Sequence, residues 1–347
     1  MEPVTHILTG AILARTGFNR RAAYATAAMA IAAEFPDIDT VWSIAGPIPS
    51  FLHHRGITHT FLGIPFEAAL LTGAFYLWHR YRAKPTKAPT NWPFLYAAIL
   101  VALLSHIALD WTNNYGVRPF FPFNPHWYAG SFVFIFEPVL FLLLVAGLLA
   151  PVLFGLINSE IGEQKRPFRG RGWAIAALLG AIALWSFRFL QHDKALQLAQ
   201  TTDAAPQATR FFASPHPINP FTWHVVADTP AFDQLYAVDT RTESITSAPN
   251  AEDTLYKPAP TVATLVAKQS PLAEAYLDWS LYPLVDQLPT TPDGLTPVLF
   301  RDARFLYDTP LMQGRHTSPL SGLVFINLAA DRAHRIDHME LNGRTQH

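Results

Sequence analysis

Cysteine is absent from the 347 residues, which removes disulfides, thiolate metal sites and a cysteine nucleophile from consideration. Charge is scarce as well. Only 15% of residues are Asp, Glu, Lys or Arg and the net charge is −1, so a nucleic-acid-binding surface has no electrostatic support. No His-Glu-x-x-His pair, Gly-x-Ser-x-Gly elbow or phosphate-binding glycine loop occurs, which argues against zincin, α/β-hydrolase and P-loop chemistry. The N-terminus shows no basic segment followed by a cleavage site, so a removable signal peptide is not expected.

Half of the residues are apolar, and the shortage of charge is uneven. Residues 1–191 carry 14 Lys+Arg against 9 Asp+Glu; residues 192–347 carry 11 against 17. A membrane-embedded region 1–191 followed by a soluble domain 192–347 is the division these counts favour. Four apolar runs, Phe61 to Trp78, Phe94 to Trp111, Phe132 to Ile157 and Trp173 to Phe189, are long enough to cross a bilayer at about 1.5 Å per helical residue. Two shorter pieces, Val4 to Ala14 and Ala22 to Ala33, read as a helical hairpin whose small residues permit close packing. Beyond residue 192 no membrane-length run remains. Thr222 to Val226, Gln234 to Asp239, Pro297 to Phe300 and Leu323 to Leu328 read as strands, and Pro271 to Trp279 as a short helix. The expected fold class is therefore a polytopic α-helical membrane domain, a helical hairpin plus four long spans, with a C-terminal soluble α+β or mostly β domain.

Basic residues cluster in the turn Arg15–Arg21, in the linker with Arg80, Arg82, Lys84 and Lys87, and in the linker with Lys165, Arg166, Arg169 and Arg171. The positive-inside rule makes these cytoplasmic. The opposite helix ends then face outward, and they carry His6, Glu34, Asp37, Asp39, His53, His54, His59, His106, Asp110, His126 and Glu137. The C-terminal domain is expected on that same, outer side of the membrane.

The stretch His53-His54-Arg55-Gly56-Ile57-Thr58-His59-Thr60 places three imidazoles and a guanidinium directly before an apolar run. Neutral histidine is the commonest metal ligand, and arginine grips phosphate. His106 and Asp110 stand at i, i+4 on one helix face and can share one ion; ionisable residues within a membrane helix are costly and mark function. A buried His–Asp hydrogen bond joining two helices is the plain alternative. Asp37 and Asp39 alternate in a turn after Pro36 and can face one site, although an isolated Asp-x-Asp is more often a helix stop. His6 gains weight from its side of the membrane alone. Histidine plus carboxylate without thiolate suits zinc, with manganese or iron also compatible.

Thr5-His6 with Gly10, Pro36-Asp37-Ile38-Asp39, His54-Arg55-Gly56-Ile57-Thr58-His59 and His106-x-x-x-Asp110 resemble the YdjM-like inner-membrane proteins, described as membrane-bound metal-dependent hydrolases. The resemblance covers about residues 1–155, and Pro217-Ile218-Asn219-Pro220-Phe221-Thr222-Trp223 is similar to the extension of a longer branch. It implies a distant likeness to zinc-dependent phospholipase C, with His6, Asp37 or Asp39, His59, His106 and Asp110 as counterpart ligands. No second helical His-x-x-x-Glu pair follows Asp110, so a third metal is not expected.

The expectation is a membrane-bound metal-dependent hydrolase cleaving a phosphoester, or another ester, of a lipid at the outer membrane surface. His6, Asp37, Asp39, His53, His59, His106 and Asp110 would hold one or two divalent ions, zinc or manganese. Glu34 would act as base, His54 as ligand or acid, and Arg55 as phosphate clamp. Membrane lipid is the expected partner. A non-catalytic metal-binding or transport protein is the rival, and a structural protein whose tail binds a partner is the third reading.

Overall fold

The structure is a computed structural model and describes residues 1–82, 86, 88–160, 170–201, 205–217, 219–246, 253–306, 320–332 and 334–346. Lys84, Lys87, Lys165, Arg166, Arg169 and Ile218, all used above, lie outside the described residues. The helices in chain order are α1 (Pro3–Leu13), α2 (Asn19–Arg21), α3 (Ala25–Glu34), α4 (Pro47–His53), α5 (Ile64–Arg82), α6 (Trp92–Thr112), α7 (Pro138–Glu160), α8 (Arg171–Ala199), α9 (Val262–Ala267) and α10 (Pro271–Trp279). The chain divides into two compact units, residues 1–39 with 55–190, and residues 40–54 with 191–347.

The first unit is helical. Glu2 caps α1 by accepting from the Val4 and Thr5 N–H groups, and Pro3 occupies the first turn where a missing N–H costs nothing. Asn91 caps α6 by accepting from Phe94 N–H. The buried residues of α6 (Leu95, Ala98, Ile99, Ala102, Leu103, His106, Ile107, Leu109, Asp110 and Thr112) recur at helical spacing, so the two ionisable residues belong to the packed stripe. That stripe meets the alanine face of α3, where Ala25, Ala28, Met29, Ala32 and Ala33 are buried. Gly10 brings α1 against the α3 backbone: a Cβ there would lie 2.2 Å from the Met29 carbonyl oxygen and 2.7 Å from Ala33 Cβ.

Three helices are long and apolar enough to cross a membrane, Trp92–Thr112, Pro138–Leu156 and Arg171–Ala199. The expected four is reached when the bent pair Pro47–His59 and Ile64–Arg82 is counted as one span. The run at Phe61–Trp78 forms α5, which carries Glu67 and ends in His79, Arg80 and Arg82; it reaches the threshold only when joined to the short helical turns before it. The run from Phe132 also begins later than expected. Residues 132–137 are irregular, with the Phe132 and Val133 N–H groups both donating to Thr112 O, and the helix starts at Pro138.

The second unit is rich in antiparallel sheet. One sheet has the order β1 (Arg210–Pro215), β2 (Thr222–Asp228), β3 (Phe232–Asp239), β4 (Ser244–Thr246), with β5 (Thr254–Tyr256) also pairing β3. The other contains β6 (Pro283–Gln287), β7 (Thr296–Asp302), β8 (Gly322–Ile326), β9 (Ile336–Leu341) and β10 (Arg344–Gln346), ordered β10-β9-β8-β7-β6. The four expected strands and the helix at Pro271–Trp279 are all present. Residues 40–54, assigned by hydropathy to the membrane region, belong to this unit. Within it, Phe51 of α4 packs on Tyr276 and Trp279 of α10, with ring centroids 5.8 and 5.4 Å away.

Candidate metal centre

Four side chains from separate parts of the first unit converge. Asp37 follows α3, His59 precedes α5, and His106 and Asp110 lie one turn apart on α6. Each offers one ligand atom, and these atoms all lie within 4.8 Å of one another. His59 Nε2 is 3.0 Å from His106 Nε2, 3.2 Å from Asp37 Oδ1 and 3.7 Å from Asp110 Oδ2. His106 Nε2 is 3.7 Å from Asp37 Oδ1 and 3.4 Å from Asp110 Oδ2. His59, His106 and Asp110 are fully buried, whereas the Asp37 side chain is 18% exposed and forms the open edge.

The imidazole contacts decide what the centre can hold. His106 Nδ1 is 2.7 Å from the Ala33 carbonyl oxygen. A carbonyl only accepts, so Nδ1 carries the proton and a neutral ring directs its Nε2 lone pair into the cluster. His59 Nδ1 faces Thr58 Oγ1 at 3.1 Å and Asp39 Oδ2 at 3.4 Å, which favours the same tautomer. Two neutral rings in these tautomers turn two lone pairs toward one another at 3.0 Å between two carboxylates, and a cation relieves that repulsion. Tetrahedral donors about 2.0–2.1 Å from an ion stand roughly 3.3–3.4 Å apart, and the five separations above, 3.0 to 3.7 Å, bracket that spacing. Asp110 Oδ2 is buried with no hydrogen-bond partner among the described residues. The residues present therefore fit a divalent ion with two nitrogen and two oxygen donors.

A second layer holds the four in place. Asp39 Oδ2 accepts from Arg55 N–H at 2.7 Å, so this carboxylate is anchored to the backbone while it orients His59. Arg55 is buried with φ +52°. Its Nη2 is 2.9 Å from Asp110 Oδ1, its Nη1 donates to Gly116 O at 2.6 Å, and its guanidinium lies 4.6 Å from the Tyr115 ring centre. Arg55, expected as a phosphate clamp, is thus placed as a buried counter-ion of Asp110. The Met1 amine also reaches Asp110 Oδ1 and lies 3.0 Å from His6 Nε2. Arg55 engages Oδ1, leaving Oδ2 toward the imidazoles.

His6 stacks on His106 with ring centroids 3.9 Å apart and approaches Asp110 Oδ1 at 3.4 Å. It lines the cluster without being among the four. Burial pushes its imidazole down to about 3, so it is neutral. Glu34 is different. Burial and the Asp37 charge raise it to about 7, and its Oε2 is buried without a hydrogen-bond partner among the described residues. Glu34 and Asp37 share the floor of a groove of about 430 Å³ walled by Ile7, Ile31, Phe35 and Ile38.

His53 and His54 belong to the second unit, where the His53 ring stacks on Trp42 at 4.1 Å, and neither is among the four. His126 is exposed and packs on Tyr128, and Glu137 pairs with Arg188 at 3.0 Å. The Ala33 carbonyl, the Gly116 carbonyl and Tyr115 were not foreseeable as support. Backbone oxygens leave no mark on sequence, although the Asp37-x-Asp39 spacing does hint at two carboxylates approaching one imidazole from its two nitrogens.

A family model described as YdjM inner membrane protein matches residues 1–195. An uncharacterized protein, YfhP of Bacillus subtilis (strain 168), is 25% identical over 150 residues, 41% of this chain and 43% of that protein. The chain thus aligns with less than half the length of that relative. No solved structure matches significantly.

Proposed function

This chain belongs to the YdjM inner membrane protein family, and from that premise we propose that it is a metal-dependent hydrolase of a lipid phosphoester, acting at the outer face of the membrane. The observation that carries the reading is the convergence of Asp37, His59, His106 and Asp110 beside a carboxylate outside that set, Glu34, at the floor of an apolar groove. A divalent ion held there, zinc or manganese, would supply Lewis acidity at neutral pH. Glu34, raised to about 7, is poised to take a proton from the attacking water. Water oxygen would bond to phosphorus, the phosphorus–oxygen bond to the leaving alcohol would break, and that alcohol would be protonated from solvent. Ile7, Ile31 and Ile38, each between 40% and 51% exposed, would seat an acyl chain. Arg55 and Asp39 hold Asp110 and His59 in register and touch no substrate.

Orientation belongs to the same proposal. Arg15, Arg20, Arg21, Arg80, Arg82 and Arg171 lie at one set of helix ends, and the positive-inside rule makes that end cytoplasmic. The metal centre then faces outward, and the β-rich unit after α8 is periplasmic.

A second reading rests on the donor count. Four protein donors complete a tetrahedral shell, which is the habit of structural rather than catalytic zinc. Mass spectrometry of protein purified without metal-affinity resin, followed by a phospholipid hydrolysis screen, separates the two. Metal lost in His59→Ala and Asp110→Ala, with lipid hydrolysis by wild type, supports the enzyme. Stoichiometric metal with no hydrolysis of any phosphoester lipid supports the structural site. Metal-free wild type refutes both.

A further inference from the structure

The opposite end of the first unit holds a second, independent feature. The turn between α1 and α3 closes over the starts of α6 and α8, leaving a cavity of about 450 Å³ lined by Arg20, Arg21 and Arg171 with Gly17, Phe18 and Phe94. No carboxylate among the described residues lines it. The Arg21 guanidinium lies 5.9 Å from the Phe94 ring centre. Arg171 Nε stands 4.0 Å from where a Cβ on Gly17 would lie, and Gly17, at φ +152°, adopts a backbone conformation that side chains disfavour. Arg171 is also the first residue of a helix of 29 residues, whose unpaired N-terminal N–H groups attract anions. Phe94 and His106 are twelve residues apart on α6, so the cavity and the metal centre are separated by roughly 18 Å along that helix.

The same level carries aromatic side chains suited to a lipid headgroup boundary. Trp173 stacks on Phe154 with centroids 5.4 Å apart, and both are exposed. Trp78, 59% exposed, sits under Arg82. Guanidinium forks bind phosphate bidentately, and an interfacial cavity lined by three arginines, with no carboxylate among its described lining residues, has the chemistry of a headgroup site.

The geometry points to this cavity as a binding site for the phosphate group of an anionic phospholipid, separate from the metal centre. The lipid is a resident ligand of the inner end of the helices, and its acyl chains run beside the apolar faces of α6 and α8. The inference does not depend on the hydrolase reading.

The test uses full-length protein in neutral detergent, titrated with phosphatidylglycerol, phosphatidylcholine or inorganic phosphate and followed by native mass spectrometry. Wild type is expected to retain phosphatidylglycerol in preference to phosphatidylcholine. Each charge removed is expected to weaken binding about fivefold, so Arg21→Gln with Arg171→Gln should lose about 25-fold while metal content stays at the wild-type level. Equal retention of the two lipids by wild type overturns the proposal, as does undiminished phosphatidylglycerol binding by the double variant. Inorganic phosphate that binds as tightly as phosphatidylglycerol and displaces it makes the ligand a soluble anion and also overturns it. If the double variant does not fold, the wild-type lipid comparison decides by itself.

Discussion

Replacing Gly10 with alanine tests how the close crossing of α1 and α3 supports the candidate metal centre. The added Cβ would lie 2.2 Å from Met29 O, 2.7 Å from Ala33 Cβ and 2.8 Å from Met29 C. Ordinary contact needs 3.4 Å or more, so α1 and α3 must separate by about 1 Å, because two of the three obstacles are backbone atoms that cannot swing aside. Alanine gains about 1 kcal/mol of helix propensity, while overpacking costs typically 1–3 kcal/mol and more against backbone. The net expectation is destabilisation of about 1–2 kcal/mol. The position matters more than the sum. His6 lies one turn before Gly10, and Ala33, pushed by the new methyl, presents the carbonyl that fixes His106. Metal retention should therefore fall along with the melting temperature. Gly73→Ala, in α5 with nothing within 4 Å of the added atom, is the control and should be neutral or slightly stabilising. Thermal unfolding and metal content in detergent read both variants. A Gly10→Ala protein with wild-type melting temperature and full metal would refute the close crossing and its link to the site.

Asp39→Asn keeps the shape of the group that faces His59 Nδ1 but removes its charge, and metal affinity should drop about 10–100-fold, measured by competition with a chelator. Glu34→Gln should leave metal content intact and lower lipid hydrolysis about 10²–10⁴-fold. Because a base works only when deprotonated and burial raises Glu34 to about 7, wild-type activity should climb as pH rises, with a midpoint at or below 7 since a bound cation favours the carboxylate. A wild-type profile unchanged by Glu34→Gln would remove that residue from the reaction. In the second unit, Asp302 is fully buried, receives Arg304 Nη2 at 2.8 Å and Leu281 N–H at 3.1 Å, and also pairs with Ser280. Asp302→Ala leaves the Arg304 charge buried and should cost about 3–5 kcal/mol, seen as a lower melting temperature without loss of metal. A reporter enzyme fused after residue 347 should read as periplasmic, and a cytoplasmic reading would invert the proposed topology.

The division between what was legible and what was not follows the range of the interactions. Apolar runs announced α6, α7 and α8, and alternating β-branched stretches announced β2, β3, β7 and β8, because helix and strand periodicity are local properties of the chain. His106 and Asp110 could be placed on one face for the same reason. The four-donor cluster needed α3, the turn before α5 and α6 to arrive together, and packing of the alanine face of α3 and of α5 on the α6 stripe brings Asp37 and His59 to that pair. Three roles were decided by tertiary contacts alone. Arg55 points into the protein at Asp110 because Gly116 O and Tyr115 hold its guanidinium. Asp39 addresses the outer nitrogen of His59 because the Arg55 N–H fixes it. His53 and His54, adjacent in sequence to Arg55, fall in the other unit because α4 packs with the β-rich domain. Composition and spacing determine which residue types are available and which helix face they occupy; the direction in which a side chain points across an interface depends on the partner that surrounds it, and that partner comes from elsewhere in the chain.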